Sequence, residues 1–140
     1  MDNYRRRVQY HETDKMAIVY HANYIKWYEE ARVYIMEQMG YSYKAMEDMG
    51  IMMPVLSVTA QYKKGAQYGD FVDIAVKFTK FNGIRMGFAY TMTDAATGEL
   101  RMTSTSEHCF VDRDFRPVNI KKKFPEFYED MMRYMEEQNG

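Results

Sequence analysis

Cysteine and proline are scarce in this sequence. Cys109 is the single cysteine, and three prolines occur in 140 residues. A lone cysteine leaves no intrachain disulfide, and neither a CxxC pair nor zinc-finger spacing exists, so a reducing compartment is expected. Runs of about 18 apolar residues, the length that spans a membrane as a helix, are also missing. We therefore expect a soluble, cytoplasmic protein without membrane insertion.

An excess of charge of one sign is missing too. Nineteen basic residues stand against 20 acidic ones, which gives a net charge of −1. This balance argues against a nucleic acid partner, which requires a broad positive field. No GxSxG elbow, Walker loop, dinucleotide fingerprint or HExxH helix occurs, which removes the serine-hydrolase, nucleotide-triphosphatase and zinc-protease classes. His108 and Cys109 are neighbours on a predicted strand and face opposite ways, so no metal site is expected.

Apolar residues at steps of three and four predict a long helix over residues 21–39, with Gly40 as its stop. A shorter helix is predicted over 42–49, because Ser42 is a suitable N-cap. The apolar stripe of the long helix consists of Tyr24, Trp27, Tyr28, Ala31, Ile35 and Met39. Other apolar residues lie outside this stripe, so the long helix is expected to be covered on several sides.

The hydrophobic period changes to two after residue 51. The segment 71–81 alternates apolar and polar residues, which is typical of a half-buried strand. Asn82-Gly83 then predicts a hairpin with a type I′ turn, in which both central residues have positive φ. The alternation resumes from residue 84 to 92, and a further strand is predicted over 99–113. These three strands form an antiparallel meander.

Asp114-Phe115-Arg116-Pro117 breaks the last strand, and a final helix is predicted over 123–137. The order of elements predicts an α+β fold in which one antiparallel sheet curls around the first helix. The length suits one domain over residues 1–140, and no linker or repeat divides it.

The segment 10–24 carries the chemistry. It is predicted to run from a short strand through a loop into the long helix, so that Asp14 lies beside a helix start. The first turn of a helix has unpaired N–H groups and positive partial charge, which can stabilise an acyl oxygen that gathers negative charge. Asp14 can serve there as nucleophile or general base. Taken alone, an aspartate at this place is more often a cap or a solvated charge.

The same segment resembles the signature of hotdog-fold acyl-CoA thioesterases of the 4-hydroxybenzoyl-CoA thioesterase family, including the Tol-Pal-associated branch. The residues that carry this resemblance are Tyr10, Glu12-Thr13-Asp14, Val19-Tyr20-His21, Asn23-Tyr24, Glu29 and Ala31-Arg32. The resemblance implies a hotdog fold, hydrolysis of an acyl- or aryl-CoA, and a homodimer or homotetramer with sites at subunit junctions.

Site roles follow from the resemblance residue by residue. Asp14 matches the catalytic aspartate, and His21 matches the position whose backbone N–H polarises the thioester carbonyl. The neighbouring candidates for substrate binding are Tyr20, Asn23 and Tyr24. No cofactor is implied, since coenzyme A is part of the substrate.

One residue departs from the pattern of this family. Position 17 is commonly glycine in this family and is Ala17 here, so the loop must either avoid positive φ or bear strain.

Lys63 and Arg85 are candidates for binding the phosphates of coenzyme A, with Lys64 and 121–123 as further candidates. Each of these basic residues is otherwise an ordinary solvated charge.

Alternatives remain open at this stage. An acyl-carrier-protein thioester would suit the same chemistry. A hotdog hydratase or dehydratase would use a histidine with an acidic residue, and His21 with Glu29 is the pair that fits. A non-catalytic protein that binds acyl thioesters is the third alternative, and Asp14 is the residue that argues against it.

Overall fold

The computed structural model describes residues 3–139. Within this range it contains five strands, four α-helices and one short 3-10 helix over Tyr10–Glu12. The strands are β1 (Tyr4–Arg7), β2 (Val55–Tyr62), β3 (Phe71–Phe81), β4 (Arg85–Asp94) and β5 (Leu100–Cys109). The helices are α1 (His21–Gln38), α2 (Tyr43–Asp48), α3 (Ile120–Lys123) and α4 (Pro125–Asn139). None of the helices in the described range is long and apolar enough to cross a membrane.

The five strands form one sheet in the order β1-β3-β4-β5-β2. β1 pairs antiparallel with β3, with Tyr4 opposite Ile74 and Arg7 opposite Phe71. The sheet and the helices confirm the predicted α+β class. β1 and β2 lie at the two edges of the sheet, and β2 was not predicted.

The described residues divide into two compact units, and β2–β5 contribute to both. The first unit contains the residues up to 40, with 60–76 and 90–104. Its core is built on α1, whose predicted stripe is buried from Tyr24 to Met39. The Tyr28 ring packs on the Tyr90 ring at 4.7 Å between centroids, and the Arg32 Nη1 donates to the Tyr90 hydroxyl at 2.9 Å.

The second unit contains residues 41–59 and 77–89 and the described residues from 105 onward. Ser42 caps α2 as predicted, since its Oγ accepts the Ala45 N–H at 3.0 Å. The core of this unit contains a group of buried aromatic residues, Phe78, Phe81, Phe88, Phe110 and Phe127, among aliphatic side chains and methionines. Phe127 anchors α4, with its ring 6.1 Å from that of Phe110.

Several predicted boundaries are wrong. Residues 10–12 form a 3-10 helix instead of a strand, and the first strand is β1. The predicted strand over 99–113 ends at Cys109. Val111 still pairs with Met52 as an isolated bridge. After Val111, the Asp112 carboxylate accepts the N–H groups of Asp114 and Arg116 at 2.9 and 3.0 Å, which forms a turn where the strand was predicted to continue. The final helix begins at Pro125, after the short α3.

The hairpin between β3 and β4 exists, but its turn is not type I′. Gly83 has φ 85°, whereas the non-glycine residues with positive φ in the described chain are Ala17 and Phe115, so Asn82 lacks the predicted conformation. The Asn82 Oδ1 instead accepts the N–H groups of Ile84 and Arg85 at 2.9 and 2.8 Å. This side chain replaces the backbone pattern that a two-residue turn would supply.

Candidate active site

The loop between the 3-10 helix and α1 holds Asp14 in a defined place. The Asp14 N–H donates to the Ile18 carbonyl at 2.9 Å, and the Asp14 Oδ1 accepts the Met16 N–H at 2.8 Å. Val19 donates its N–H to the Ala66 carbonyl at 2.9 Å, which ties the end of the loop to the chain beyond β2. Asp14 is half-buried, and its Oδ2 has no hydrogen-bond partner among residues 3–139. One carboxylate oxygen is therefore fixed and the other is available.

Ala17 lies in this loop with φ 64°. Its N–H donates to the Asp14 carbonyl at 3.0 Å, which closes a tight turn directly behind the carboxylate. An alanine in the left-handed region crowds its Cβ against the following peptide, at a cost of about 1–2 kcal/mol. Of the two possibilities left by the sequence, the loop therefore bears the strain.

The start of α1 presents unpaired N–H groups. Tyr20 is the N-cap in an extended conformation, and no side chain caps the helix. The Tyr20 N–H donates to the Glu12 carbonyl at 2.8 Å, and the Asn23 N–H donates to the Tyr20 carbonyl at 2.9 Å. Within the described range the His21 N–H has no acceptor. This donor and the positive end of the α1 dipole can bind an oxyanion.

Tyr24 links the loop to this helix. Its buried hydroxyl accepts the Ala66 N–H at 3.0 Å. Burial raises the pKa of Tyr24, and the charges of Tyr62 and Asp14 raise it further against the lowering effects of the Ala66 N–H and of Arg101.

Tyr62 at the end of β2 is a neighbour that the sequence did not identify. Its hydroxyl donates to the His21 carbonyl at 3.3 Å. Its ring lies 5.5 Å from the Tyr24 ring and 6.3 Å from the His21 ring. About half of Tyr62 is exposed, so it provides an aromatic surface beside the start of α1.

Glu12 belongs to the signature quoted in the sequence analysis, which gave it no role. It is 5% exposed, and its carboxylate accepts hydrogen bonds from Arg6 Nη1, the Gln9 N–H and Trp27 Nε1 at 2.6, 2.8 and 2.7 Å. Burial alone would raise the pKa of Glu12, but the bonds from Arg6, Trp27 and Gln9 lower it, and the net shift is downward. Glu12 is therefore a buried, ionised carboxylate two residues before Asp14.

The remaining predicted residues have varied positions. Tyr20 is half exposed, with its ring 4.5 Å from that of His21. The Asn23 amide donates to the Glu12 carbonyl at 2.9 Å, which gives it a structural contact. Lys63 is exposed and donates to the Gln61 Oε1 at 3.4 Å. Arg85 is exposed at the start of β4, in the second unit.

The described residues place Asp14 in the loop that leads into α1, and His21 and Tyr24 in the first turn of that helix. Glu29 is exposed on α1, two turns beyond His21. The roles of these residues in catalysis or binding stay predictions.

The chain is similar to known proteins over most of its length. Residues 8–134 match the Thioesterase-like superfamily. A Bacillus subtilis protein with the provisional name acyl-CoA thioesterase YneP is 37% identical over 122 residues, which are 86% of this chain and 88% of the relative. The acyl-CoA thioester hydrolase YbgC of Escherichia coli is 29% identical over 116 residues, 83% of this chain and 87% of the relative.

A solved structure of a thioesterase has the same fold as this chain. The DHNA-CoA thioesterase of Staphylococcus aureus superposes with a TM-score of 0.91 at 31% identity, covering 99% of this chain and 93% of that chain. The class defined by the fold is the hotdog type, which confirms the fold implied by the resemblance. The chain belongs to the Thioesterase-like superfamily, and the prediction of a thioester hydrolase is confirmed.

Proposed function

We propose that this protein hydrolyses the thioester of an acyl- or aryl-CoA to a free acid and coenzyme A. The relatives named above act on acyl-CoA and DHNA-CoA thioesters, which supports this substrate class. The observation that carries the proposal is the Asp14 carboxylate, with one oxygen held and one available, in the loop that leads into the unpaired His21 N–H at the start of α1.

In the proposed reaction the thioester carbonyl oxygen accepts the His21 N–H. Asp14 either attacks the carbonyl carbon, to give an anhydride that water then opens, or removes a proton from the water that attacks. The C–S bond breaks in either route, the acyl group keeps the new oxygen, and the thiolate leaves and takes up a proton. The developing negative charge on the carbonyl oxygen lies at the positive end of α1, which lowers the barrier.

Substrate contacts outside the reacting atoms are also part of the proposal. Tyr20, Asn23 and Tyr24 are the candidates for contact with the substrate near the thioester, and Lys63 and Arg85 are the candidates for the phosphates of coenzyme A. The reaction as written needs no cofactor. A single domain over residues 1–140 and a cytoplasmic location stay predictions.

The exposed edge of the sheet supports assembly with a second copy of this chain. β2 is an edge strand, and Val55, Leu56 and Val58 on it are 50%, 46% and 43% exposed. An unprotected apolar edge invites pairing with another strand. We propose a homodimer that covers β2, with a homotetramer as a further step of assembly.

A thiol-release assay tests the proposed function. Purified protein is offered acyl-CoAs of increasing chain length, aryl-CoAs and an acyl-carrier-protein thioester, and both free thiol and free acid are measured. Equimolar release of thiol and acid from at least one CoA thioester is the expected result. Addition of water to an enoyl-CoA without thiol release would favour a hydratase, and binding without turnover would favour a non-catalytic protein. Either outcome would contradict the proposal.

A further inference from the structure

Glu12 connects three segments of the chain and lies two residues before Asp14. Its carboxylate binds Arg6 on β1 and Trp27 on α1. Its backbone carbonyl accepts the Tyr20 N–H at 2.8 Å and the Asn23 amide at 2.9 Å, both at the start of α1. One residue therefore contacts β1, the body of α1 and the N-cap of α1.

The contacts of Glu12 extend into a fixed cluster. The Arg6 guanidinium lies 4.7 Å over the Trp27 ring, and its Nε donates to the Glu30 Oε1 at 2.7 Å. The Tyr4 hydroxyl donates to the same Glu30 oxygen at 2.9 Å. The Glu12 carboxylate is buried, and each of its oxygens accepts at least one hydrogen bond, so it has little freedom to move.

Glu12 lies close to both groups of the candidate site, so its rigidity affects their positions. Only Thr13 separates Glu12 from Asp14, and the Tyr20 N–H that binds the Glu12 carbonyl immediately precedes the His21 N–H. The two groups proposed to act on the thioester are thus both positioned from Glu12. Catalytic groups must be held close to the reacting geometry, and a displacement of about 1 Å can cost about a hundredfold in rate.

We infer that Glu12 is a positioning residue for the thioester hydrolysis proposed above, holding the Asp14 loop against the start of α1. The inference rests on that proposed function and adds a residue to its site. Glu12 itself is buried and its carboxylate is enclosed by its partners, so its role is to position other groups.

Glu12→Gln tests the inference with little change of shape. Both carboxylate oxygens accept hydrogen bonds from donors, so the amide NH₂ of glutamine must face a donor on one side. The variant is expected to lose about 10- to 100-fold in kcat while KM stays within about twofold, because the loop shifts but the substrate-binding surface remains. Trp27→Phe removes one hydrogen bond to the carboxylate and keeps a ring under Arg6. A smaller loss of kcat is expected, and the two changes should be non-additive in the double variant.

Asp94→Asn is the matched control. Asp94 is another buried carboxylate of the same unit, 8% exposed, and it accepts from Arg101 Nη2 at 2.9 Å. The same chemical change should lower Tm there but leave kcat unchanged. All variants are assayed well below their Tm, with circular dichroism as the check on folding. If Glu12→Gln does not fold, Trp27→Phe carries the test.

The outcomes separate the two claims. An unchanged kcat in folded Glu12→Gln would overturn the inference, and so would an unchanged kcat in Trp27→Phe if Glu12→Gln does not fold. Thiol release by the wild-type protein would still support the proposed function. Equal losses of kcat in Glu12→Gln and Asp94→Asn at equal losses of Tm would make Glu12 merely structural and would also overturn it. Absence of thiol release by the wild-type protein would overturn the proposed function and the inference together.

Discussion

Replacing Ala17 with glycine should stabilise the protein, although it removes a side chain. Ala17 has φ 64°, a region that costs a residue with a Cβ about 1–2 kcal/mol and costs glycine little. Glycine also gives the unfolded chain more freedom, which offsets about 0.4–1 kcal/mol of that gain. The expected net increase in the free energy of unfolding is therefore about 1 kcal/mol. For a chain of this length, such an increase corresponds to a rise in Tm of about 3 °C.

Urea denaturation followed by circular dichroism measures this change. Wild type and variants are compared at one protein concentration, since assembly would make apparent stability depend on concentration. Ala45→Gly is the matched control, because Ala45 lies within α2, where glycine costs about 0.5–1 kcal/mol relative to alanine. The same substitution should thus have opposite signs at the two positions. A lower free energy of unfolding for Ala17→Gly would refute the assignment of strain to the loop.

Three further predictions address the helix start, the buried carboxylate and the sheet edge. His21→Ala keeps the backbone N–H and should retain substantial activity, whereas His21→Pro removes it and should be severely impaired in the thiol-release assay. Folding should tolerate this proline, since it occupies the first position of α1 after an extended Tyr20 at ψ 130°. The pKa of Glu12 lies below its ordinary 4.5 in the folded protein, so the unfolded chain binds the proton first as pH falls. The contribution of Glu12 to the free energy of unfolding should be complete above pH 4.5 and should decrease as the pH falls below it. Urea titrations of Glu12→Gln should show a shallower decrease of this free energy with falling pH. Val58→Lys on β2 should convert the proposed dimer to monomer in light scattering, and an unchanged mass would contradict assembly through this edge.

The elements that were predicted well bury one face and expose the other. The stripe from Tyr24 to Met39 on α1 is buried, and on β3 Val72, Ile74 and Phe78 are buried as their alternation indicated. β2 was missed for the opposite physical reason. Val55 and Leu56 are adjacent and both exposed, so this edge strand has no alternation to detect in a single chain.

Local side-chain hydrogen bonds account for two of the wrong predictions. The Asp112 carboxylate forms a turn where the strand was predicted to continue to residue 113, and the Asn82 amide oxygen replaces the type I′ turn. Both residues offer the backbone an acceptor that competes with the strand ladder. Hydrophobic periodicity does not contain this information.

One part of the candidate site could be predicted from the sequence and another part could not. The position of Asp14 before a helix start follows from adjacent residues, and the family signature points to it. Glu12 and Tyr62 act through contacts 15 and 41 residues away, with the Trp27 indole and the His21 carbonyl. A local reading of the sequence cannot predict such contacts, although the early position of Glu12 in the signature was a signal.

The most direct test of the central claim is the kcat of Asp14→Asn for the best CoA thioester. The asparagine Oδ1 can still accept the Met16 N–H, so the loop should keep its fold while losing the carboxylate. Asp112→Asn is the control, because Asp112 accepts backbone N–H groups in a similar turn in the second unit. Asp14→Asn should lose more than about a hundredfold in kcat at nearly unchanged Tm, with Asp112→Asn close to wild type in activity. Near-wild-type turnover by folded Asp14→Asn would contradict the account.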